Sequence, residues 1–307
     1  MVLDVRSGEV LALANLPDYD PNVRAGLSGA QLRNRVLTDS YEPASVLKPF
    51  TVALALESGL ATPDTLVDTA PGRIAIGRST IRDASRHGAL TVAEVLQKSS
   101  NVGTVKLALQ MPARDLWSLL TEVGFGQAPQ LGFPGTAAGR LRPHAGWKPI
   151  EHATISFGHG ISTSLLQMAQ SYLVFARDGD MIPVISPATA AAVRAMMERA
   201  TWPGGTAPRA RMPGYRAAGK TSTAHKPVDG RYTDRYISGF VGLAPVSAPR
   251  IIVAVMVDEP TEGGYYGGRV AAPVFSAVAQ DTLRALGVAP DAEVAEILPA
   301  DAGGEEA

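Results

Sequence analysis

Residues 44–59 read ASVLKPFTVALALESG, and this stretch decides how the chain folds. The pattern predicts a helix over 45–58 with apolar side chains on every side, and such a helix belongs inside a core. Gly59 follows it, and glycine commonly ends a helix because it tolerates a left-handed conformation. Lys48 lies within the apolar run, where a lysine is rarely buried without a partner. The sequence therefore predicts a buried central helix that carries one functional or paired lysine.

Strand-like segments flank a long helical middle. The predicted strands are 2–5, 10–14, 215–223, 236–243 and 251–258. The predicted helices after the central one are 91–98, 102–110, 113–123, 164–177, 187–200 and 273–286. Ser186 is the predicted cap of the helix that Pro187 opens. We expect a mixed α/β fold with one antiparallel five-stranded sheet, built from 1–15 and 214–288, that is covered by helices and joined by a helical subdomain over 40–200.

Length and composition limit the possible functions. The chain has 307 residues, a net charge of -1 and no cysteine. The lack of cysteine excludes disulfides and thiolate chemistry. The net charge gives no sign of a basic surface for nucleic acid. The five histidines share no metal-ligand spacing and are interpreted as surface or loop residues, so no metal or cofactor is expected. We expect one domain over 1–288, followed by a flexible acidic tail over 289–307.

The first motif is Ser45-Val46-Leu47-Lys48, the only Ser-x-x-Lys in the chain. Residues three apart in a helix share a face, so the Lys48 amine is predicted to reach the Ser45 hydroxyl. A serine is a weak nucleophile that needs an adjacent base, and a lysine can be that base only if its pKa falls. The position of Ser45 near a helix N-terminus favours a developing negative charge. Chance produces this spacing often, so the motif alone does not establish a nucleophile.

Two further motifs are individually ambiguous. Ser99-Ser100-Asn101 lies at a predicted break between helices, where it can point a hydroxyl and an amide towards Lys48 or a substrate, or can simply cap the helices. Lys220-Thr221-Ser222-Thr223 ends a predicted strand. It can present a cation, hydroxyls and a backbone N–H to a carboxylate and an oxyanion, or it can be an ordinary strand rich in threonine.

The order and spacing of the three motifs resemble the penicillin-binding protein and β-lactamase superfamily, whose signature is Ser-x-x-Lys, Ser-x-Asn and Lys-[Thr/Ser]-Gly-[Thr/Ser]. Other segments resemble the division-specific class B transpeptidases of peptidoglycan synthesis. These segments are 33–35, 41–43, 96–103, 155–160, 229–232 and 265–268. The resemblance extends from Asp4 to about Leu286.

The resemblance implies a role for each matching residue. Ser45 would be acylated by the penultimate D-alanine of a stem peptide that ends in D-Ala-D-Ala, and an amine of a second stem peptide would then form the cross-link. Lys48 would be the general base, and Ser99 and Asn101 would complete the proton relay and orient the substrate.

The second set of roles belongs to the strand motif. Lys220 and Thr221 would hold the relay and the substrate carboxylate, and Thr223 would bind that carboxylate and share the oxyanion hole with the Ser45 N–H. β-Lactams would acylate Ser45 and remain attached.

Three departures from the family pattern are visible. Ser222, which is predicted to belong to the substrate-binding set with Thr221 and Thr223, stands where the family usually has glycine. Alternation along the strand predicts that Lys220 and Ser222 face one way and that the Ser222 side chain points away from the ligand. The stretch between Pro183 and Pro187 is shorter than expected, as if a surface hairpin were missing. The first residues already match the start of the catalytic domain. We therefore expect a soluble fragment of a protein that is anchored at the periplasmic face of the inner membrane and assembles with division and cell-wall proteins.

Two alternatives remain. A D,D-carboxypeptidase or β-lactam-hydrolysing enzyme would share the nucleophile. The deacylating Glu-x-x-x-Asn pattern of class A β-lactamases is impossible here because Asn101 is the last asparagine. A non-catalytic β-lactam-binding module is the second alternative, and the presence of all catalytic positions argues against it.

Overall fold

The computed structural model describes residues 1–23, 25–179, 185–228 and 230–293. Their strands are β1 Val2–Asp4, β2 Val10–Ala12, β3 Leu66–Asp68, β4 Arg73–Ile76, β5 Ser79–Arg82, β6 Ala89–Thr91, β7 Ala218–Val228, β8 Arg231–Ala244 and β9 Ile251–Asp258. Their α-helices are α1 Gly29–Leu32, α2 Arg35–Thr38, α3 Lys48–Glu57, α4 Val92–Gln97, α5 Asn101–Ala108, α6 Ala113–Glu122, α7 Pro149–Ile155, α8 Leu165–Ser171, α9 Leu173–Ala176, α10 Pro187–Glu198, α11 Gly267–Val270 and α12 Ala272–Ala285.

The main sheet contains strands from both ends of the chain. Its order is β2-β1-β9-β8-β7, and every neighbouring pair is antiparallel. The predicted five-stranded sheet and fold class are therefore confirmed. The strand predicted over 215–223 begins at Ala218 and continues to Val228, where it forms a long hairpin with β8. β7 is the edge strand, so one of its sides is not paired within the sheet.

The two faces of the sheet belong to different cores. Phe240 and Phe275 of α12 meet edge to face with ring centroids 4.7 Å apart on one side. Val241, the next residue along β8, packs on the other side in the core that contains Leu47. Side chains alternate along a strand, so consecutive apolar residues of β8 can serve both cores. The sheet is thus buried between α12 and the helical middle.

The predicted central helix is confirmed as a buried element, with one difference. Ala44–Leu47 forms a turn of 3₁₀ helix, and the α-helical part α3 begins at Lys48. Phe50 of α3 is fully buried among aromatic rings, with its centroid 4.9 Å from that of Phe175. Gly59 adopts a φ of 68° just after the helix, as predicted. This packing makes α3 a rigid base for the turn before it.

Short elements escaped prediction. The strands β3, β4, β5 and β6 and the helices α1, α2 and α7 each contain seven residues or fewer, too short to show a periodic pattern. The helix predicted over 164–177 is interrupted at Tyr172, between α8 and α9. The interpretation of all five histidines as surface or loop residues is wrong for His152, which is 8% exposed on α7. The predicted cap at Ser186, which accepts a bond from the Thr189 N–H, is confirmed.

The predicted tail begins with an ordered segment. The Asp291 carboxylate accepts hydrogen bonds from the Arg216 N–H at 2.7 Å and the Ser247 hydroxyl at 2.9 Å. Residues 294–307 lie outside the described part of the chain, as do 183 and 184 of the stretch predicted to be short. Within the described ranges, no helix is both long and apolar enough to cross a bilayer.

Candidate active site

The backbone before α3 adopts an unusual conformation at the residue that precedes Ser45. Ala44 has a φ of 49°, and its N–H donates to the Gly158 carbonyl at 3.0 Å. Gly158 itself has a φ of 90°, and a Cβ on it would overlap the Ala44 oxygen and stand 2.5 Å from the Ala44 nitrogen. Only glycine permits this approach. The loop 156–160 therefore supports the backbone at the predicted nucleophile.

Two buried hydroxyls fix the same turn from the helical side. Tyr172, at the junction of α8 and α9, donates to the Val46 carbonyl at 2.8 Å. Thr51 of α3 donates to the Ser156 carbonyl at 2.7 Å. A satisfied hydrogen bond in a buried place is costly to break, so these contacts restrict the turn. The Ser45 side chain remains partly exposed and, among the described residues, forms no hydrogen bond.

Lys48, Ser99 and Lys220 meet at one hydroxyl. Lys48 Nζ donates to Ser99 Oγ at 3.0 Å and also to the Ser99 carbonyl, and Lys220 Nζ donates to Ser99 Oγ at 2.8 Å. Both lysines are 0% exposed. Ser99 adopts a φ of 60° in the break between α4 and α5, which turns its hydroxyl towards the lysines. The three motifs predicted from the sequence therefore converge, although Lys48 bonds to Ser99 rather than to Ser45.

Burial changes the ionisation of both lysines. It lowers the pKa of Lys48 to about 7, against a weaker opposing effect of the Asp83 carboxylate. It also lowers the pKa of Lys220 well below its usual value, and the nearby Lys48 charge adds to this effect. Removal of a cation from water and proximity of a like charge both favour the neutral amine. A neutral lysine near pH 7 is what proton abstraction by an amine requires.

We predict that acylation of Ser45 falls as the pH drops through about 7. The predicted role of Lys48 as base requires its neutral form, and below its pKa of about 7 each unit of pH reduces that form about tenfold. The rate of acylation by a penicillin, measured between pH 5.5 and 9, should rise and then level off. A rate that stays constant across this range would show that no lysine titrating near pH 7 acts as the base.

The remaining residues of the Ser-x-Asn motif serve the helix that follows. Ser100 caps α5 by accepting a hydrogen bond from the Gly103 N–H, and its hydroxyl donates to Asp83 at 2.7 Å. Asn101 donates to the Arg82 carbonyl at 2.8 Å and makes no bond to Lys48 in the described part of the chain. The break between α4 and α5 therefore both caps α5 and positions the Ser99 hydroxyl. Asp83 was not singled out from the sequence, because it follows β5 and lies 17 residues before Ser100, and a lone acidic residue there gives no distinctive signal.

The strand motif is located on the edge strand β7, which packs against the 3₁₀ turn of Ser45. Thr221 Oγ1 donates to Thr206 Oγ1 at 3.1 Å, and Thr223 Oγ1 accepts from the Gly267 N–H at 3.2 Å. Among the described residues neither threonine hydroxyl forms a hydrogen bond with Lys48 or Ser99. An edge strand offers unpaired backbone groups to an extended peptide. Thr221 and Thr223 are therefore positioned by protein contacts on a strand that is open to pairing.

Ser222 is accommodated by the residue opposite it. Its side chain is 5% exposed and belongs to the strand face that carries Lys220. The partner in the register is Gly239, and a Cβ there would stand 2.7 Å from Ser222 Oγ. The added side chain therefore fills space above a glycine. The structure thus buries the Ser222 side chain against Gly239.

We predict a strong coupling between these two positions. Gly239→Ala should destabilise the chain by about 1–3 kcal/mol, because its new methyl group must displace Ser222 Oγ. Ser222→Gly in the same chain should recover much of that loss. Urea unfolding of both single variants and the double variant measures the coupling. If the changes in unfolding free energy of the two single variants simply add up to that of the double variant, this account of the packing is wrong.

A carboxylate beside Ser45 links three segments that the resemblance had identified. Glu42 accepts hydrogen bonds from the Gly160 N–H at 2.9 Å and the Tyr232 hydroxyl at 3.0 Å, and His159 Nδ1 lies 3.2 Å away. Burial raises the pKa of Glu42, and these bonds together lower it below its usual value. Glu42 therefore ties the Ser45 segment to the 156–160 loop and to the β7–β8 hairpin. Sequence reasoning gave it no role, since its partners are distant along the chain.

The chain matches the family model described as the penicillin binding protein transpeptidase domain over residues 1–280. It belongs to the penicillin-binding protein transpeptidase family. A transpeptidase domain of penicillin-binding protein 3 from Burkholderia pseudomallei has 48% sequence identity and a TM-score of 0.86, over 95% of this chain and 89% of that one. The family and the fold expected from the sequence are thereby confirmed.

Curated relatives of this transpeptidase domain carry the same activity in their names. The probable peptidoglycan D,D-transpeptidase PenA of Neisseria flavescens is 43% identical, over 94% of this chain and 76% of that protein. The peptidoglycan D,D-transpeptidase FtsI of Escherichia coli is 40% identical, over 95% of this chain and 52% of that protein. The chain thus spans about half the length of the second relative. These findings confirm the predicted enzyme class, a serine-type peptidoglycan D,D-transpeptidase.

Proposed function

We propose that this chain cross-links peptidoglycan stem peptides through an acyl-enzyme on Ser45. The observation that carries this is the pair of fully buried lysines, Lys48 and Lys220, that share the Ser99 hydroxyl directly behind the Ser45 turn. Burying two amines costs several kcal/mol, which structural packing alone does not repay. A proton relay that activates a serine nucleophile is a function that buried lysines of this kind can perform.

The positions of these groups support the following acylation step. The neutral Lys48 amine takes the Ser45 proton as Ser45 Oγ attacks the penultimate D-alanine carbonyl. Ser99 Oγ accepts hydrogen bonds from both lysines, so the hydroxyl can donate its own proton to the substrate. The proton then passes to the leaving nitrogen of the terminal D-alanine. Deacylation by an amine reverses the sequence with a second stem peptide.

The strand β7 supports substrate binding in this proposal. A peptide that pairs with the open edge of β7 would lie along Lys220, Thr221 and Thr223, with its terminal carboxylate at the threonine hydroxyls. The N–H groups of Ser45 and Thr223 would stabilise the oxyanion of the tetrahedral intermediate. Asn101 would orient the substrate after leaving its contact with the Arg82 carbonyl. β-Lactams would acylate Ser45 and persist, because the chain lacks the carboxylate–asparagine pattern of class A β-lactamases.

The wider context is part of the same proposal. A relative named FtsI suggests a role at the division septum, with the domain on the periplasmic face of the inner membrane and in contact with other cell-wall proteins. These statements concern the whole protein, of which this chain matches one part.

Turnover of a donor peptide ending in D-Ala-D-Ala, with an added amine acceptor, tests the activity. We expect release of D-alanine and a product whose mass shows that donor and acceptor are joined. The Ser45→Ala variant should form neither. Release of D-alanine with hydrolysis alone would identify a carboxypeptidase, and β-lactam binding without any acylation would identify a binding module.

A further inference from the structure

A cleft beside the Ser-x-Asn motif is lined by three arginines that the proposed mechanism does not use. We call it the arginine cleft. It has a volume of about 240 Å³, and its lining residues are Pro71, Gly72, Arg73, Arg82, Asp83, Ala84 and Arg86. Arg73, Arg82 and Arg86 are exposed and form no ion pair with another described residue. The cleft therefore presents uncompensated positive charge in a concave place.

The arginines are held close together by the β4–β5 hairpin. Arg73 and Arg82 are direct partners in its register, so their side chains project from the same face. Like charges directly opposite each other destabilise a pair of strands. Gly72 brings the third arginine near, since a Cβ on it would stand 3.2 Å from Arg86 Cγ. An anion between the guanidinium groups would remove this repulsion.

The acidic residue in the lining does not neutralise the cleft. Both Asp83 oxygens are engaged at the start of α5, where they accept from the Ser100 hydroxyl at 2.7 Å and the Val102 N–H at 2.9 Å. These bonds direct the carboxylate towards the helix. The guanidinium groups therefore remain available to an external anion, and the planar guanidinium matches a carboxylate with two parallel hydrogen bonds.

The cleft lies beside the Ser-x-Asn motif. The Arg82 carbonyl accepts the hydrogen bond from the Asn101 amide at 2.8 Å. The opposite face of the hairpin is anchored, because Ile81 packs with Val105 of α5 and Phe157 in a small core. A ligand bound at the arginines would thus lie next to the groups that handle the substrate.

We propose that the arginine cleft binds a side carboxylate of the peptidoglycan stem peptide, away from its D-Ala-D-Ala end. This inference rests on the proposed function, because the substrate is then a peptide whose glutamate and diamino acid residues carry free carboxylates. The cleft would add binding energy at a distance from the reacting carbonyl. It would also distinguish the acidic form of the stem peptide from its amidated form.

The test compares the binding of two dye-labelled tripeptides that lack D-Ala-D-Ala. One is L-Ala-γ-D-Glu-diaminopimelate with free carboxylates, and the other has the same carboxylates amidated. Fluorescence anisotropy with the full chain should give a dissociation constant at least about tenfold lower for the acidic peptide, as charge-assisted hydrogen bonds imply. In Arg73→Gln/Arg86→Gln the two peptides should bind about equally.

The control is Arg78→Gln, which removes one charge from the turn of the same hairpin but outside the cleft lining. It should retain the preference for the acidic peptide, and all variants should be acylated by penicillin within about twofold of the parent rate. Equal binding of both peptides by the parent chain, or loss of the preference in Arg78→Gln, would overturn the inference. Because the tripeptides are not turned over, a failure of Ser45 acylation would count against the proposed function alone.

Discussion

Lys48→Met is expected to lower the rate at which penicillin acylates Ser45 by about 10³-fold, within the range that general-base catalysis contributes. Methionine matches the length of the lysine side chain and suits the buried site, but it cannot accept a proton. Lys48 is fully buried and contacts Ser99 through both the carbonyl and the hydroxyl. Stopped-flow or quenched labelling with a fluorescent penicillin measures the rate.

Lys98→Met is the matched control for this variant. Lys98 is exposed, lies next to Ser99 in the chain and donates to the Gly204 carbonyl at 2.7 Å. It makes the same lysine-to-methionine replacement outside the buried cluster, and it should leave acylation within about twofold of the parent rate. Circular dichroism would verify that both variants fold. A Lys48→Met variant that folds and acylates within tenfold of the parent would remove Lys48 from the role of base.

Gly158→Ala is expected to destabilise the chain by about 3 kcal/mol and to lower acylation by at least about tenfold. The new Cβ would overlap the Ala44 oxygen, and the φ of 90° is strained for any L side chain. The Ala44 backbone must move to relieve the clash, and Ser45 moves with it. A displacement of about 1 Å at a reacting group can cost about 10²-fold in rate. Urea unfolding and the penicillin labelling rate measure the two effects.

Gly160→Ala separates the clash from backbone strain. Gly160 has a similar φ of 80° in the same loop, but the nearest atom to its Cβ would lie 3.7 Å away. Gly160→Ala should lower the free energy of unfolding by only about 1–2 kcal/mol, because of left-handed backbone strain. It should largely preserve the rate of labelling by penicillin. Equal losses in both variants would mean that loop strain, rather than contact with Ala44, explains the effect of Gly158→Ala.

Much of the fold could be predicted because its longest elements have clear patterns. The apolar residues of α3, the strand-like runs of β8 and β9, and the cap at Ser186 each indicated the correct element. The hairpin of Arg73 and Arg82 could not be predicted in the same way, since its strands of four residues show no period that stands out from chance. The position of Tyr172 between two helices also depends on tertiary contacts, including its bond to the Val46 carbonyl.

The residues of the candidate site were predictable as residue types in a particular order, and their geometry was not. Lys48, Ser99 and Lys220 were named from motifs, yet the shared Ser99 hydroxyl follows from a left-handed φ that no local pattern encodes. The contacts of Glu42 and Gly158 with segments more than a hundred residues away are products of the fold. A sequence motif identifies the chemistry that is possible, and packing decides which atoms meet.

Intact-mass spectrometry after exposure to penicillin tests the central claim most directly. The parent chain should gain the mass of one penicillin, and this adduct should persist over a time course because no class A deacylating carboxylate pattern is present. Ser45→Ala should gain nothing under the same conditions. An undiminished adduct on Ser45→Ala, or no adduct on the parent chain, would contradict the assignment of Ser45 as the nucleophile.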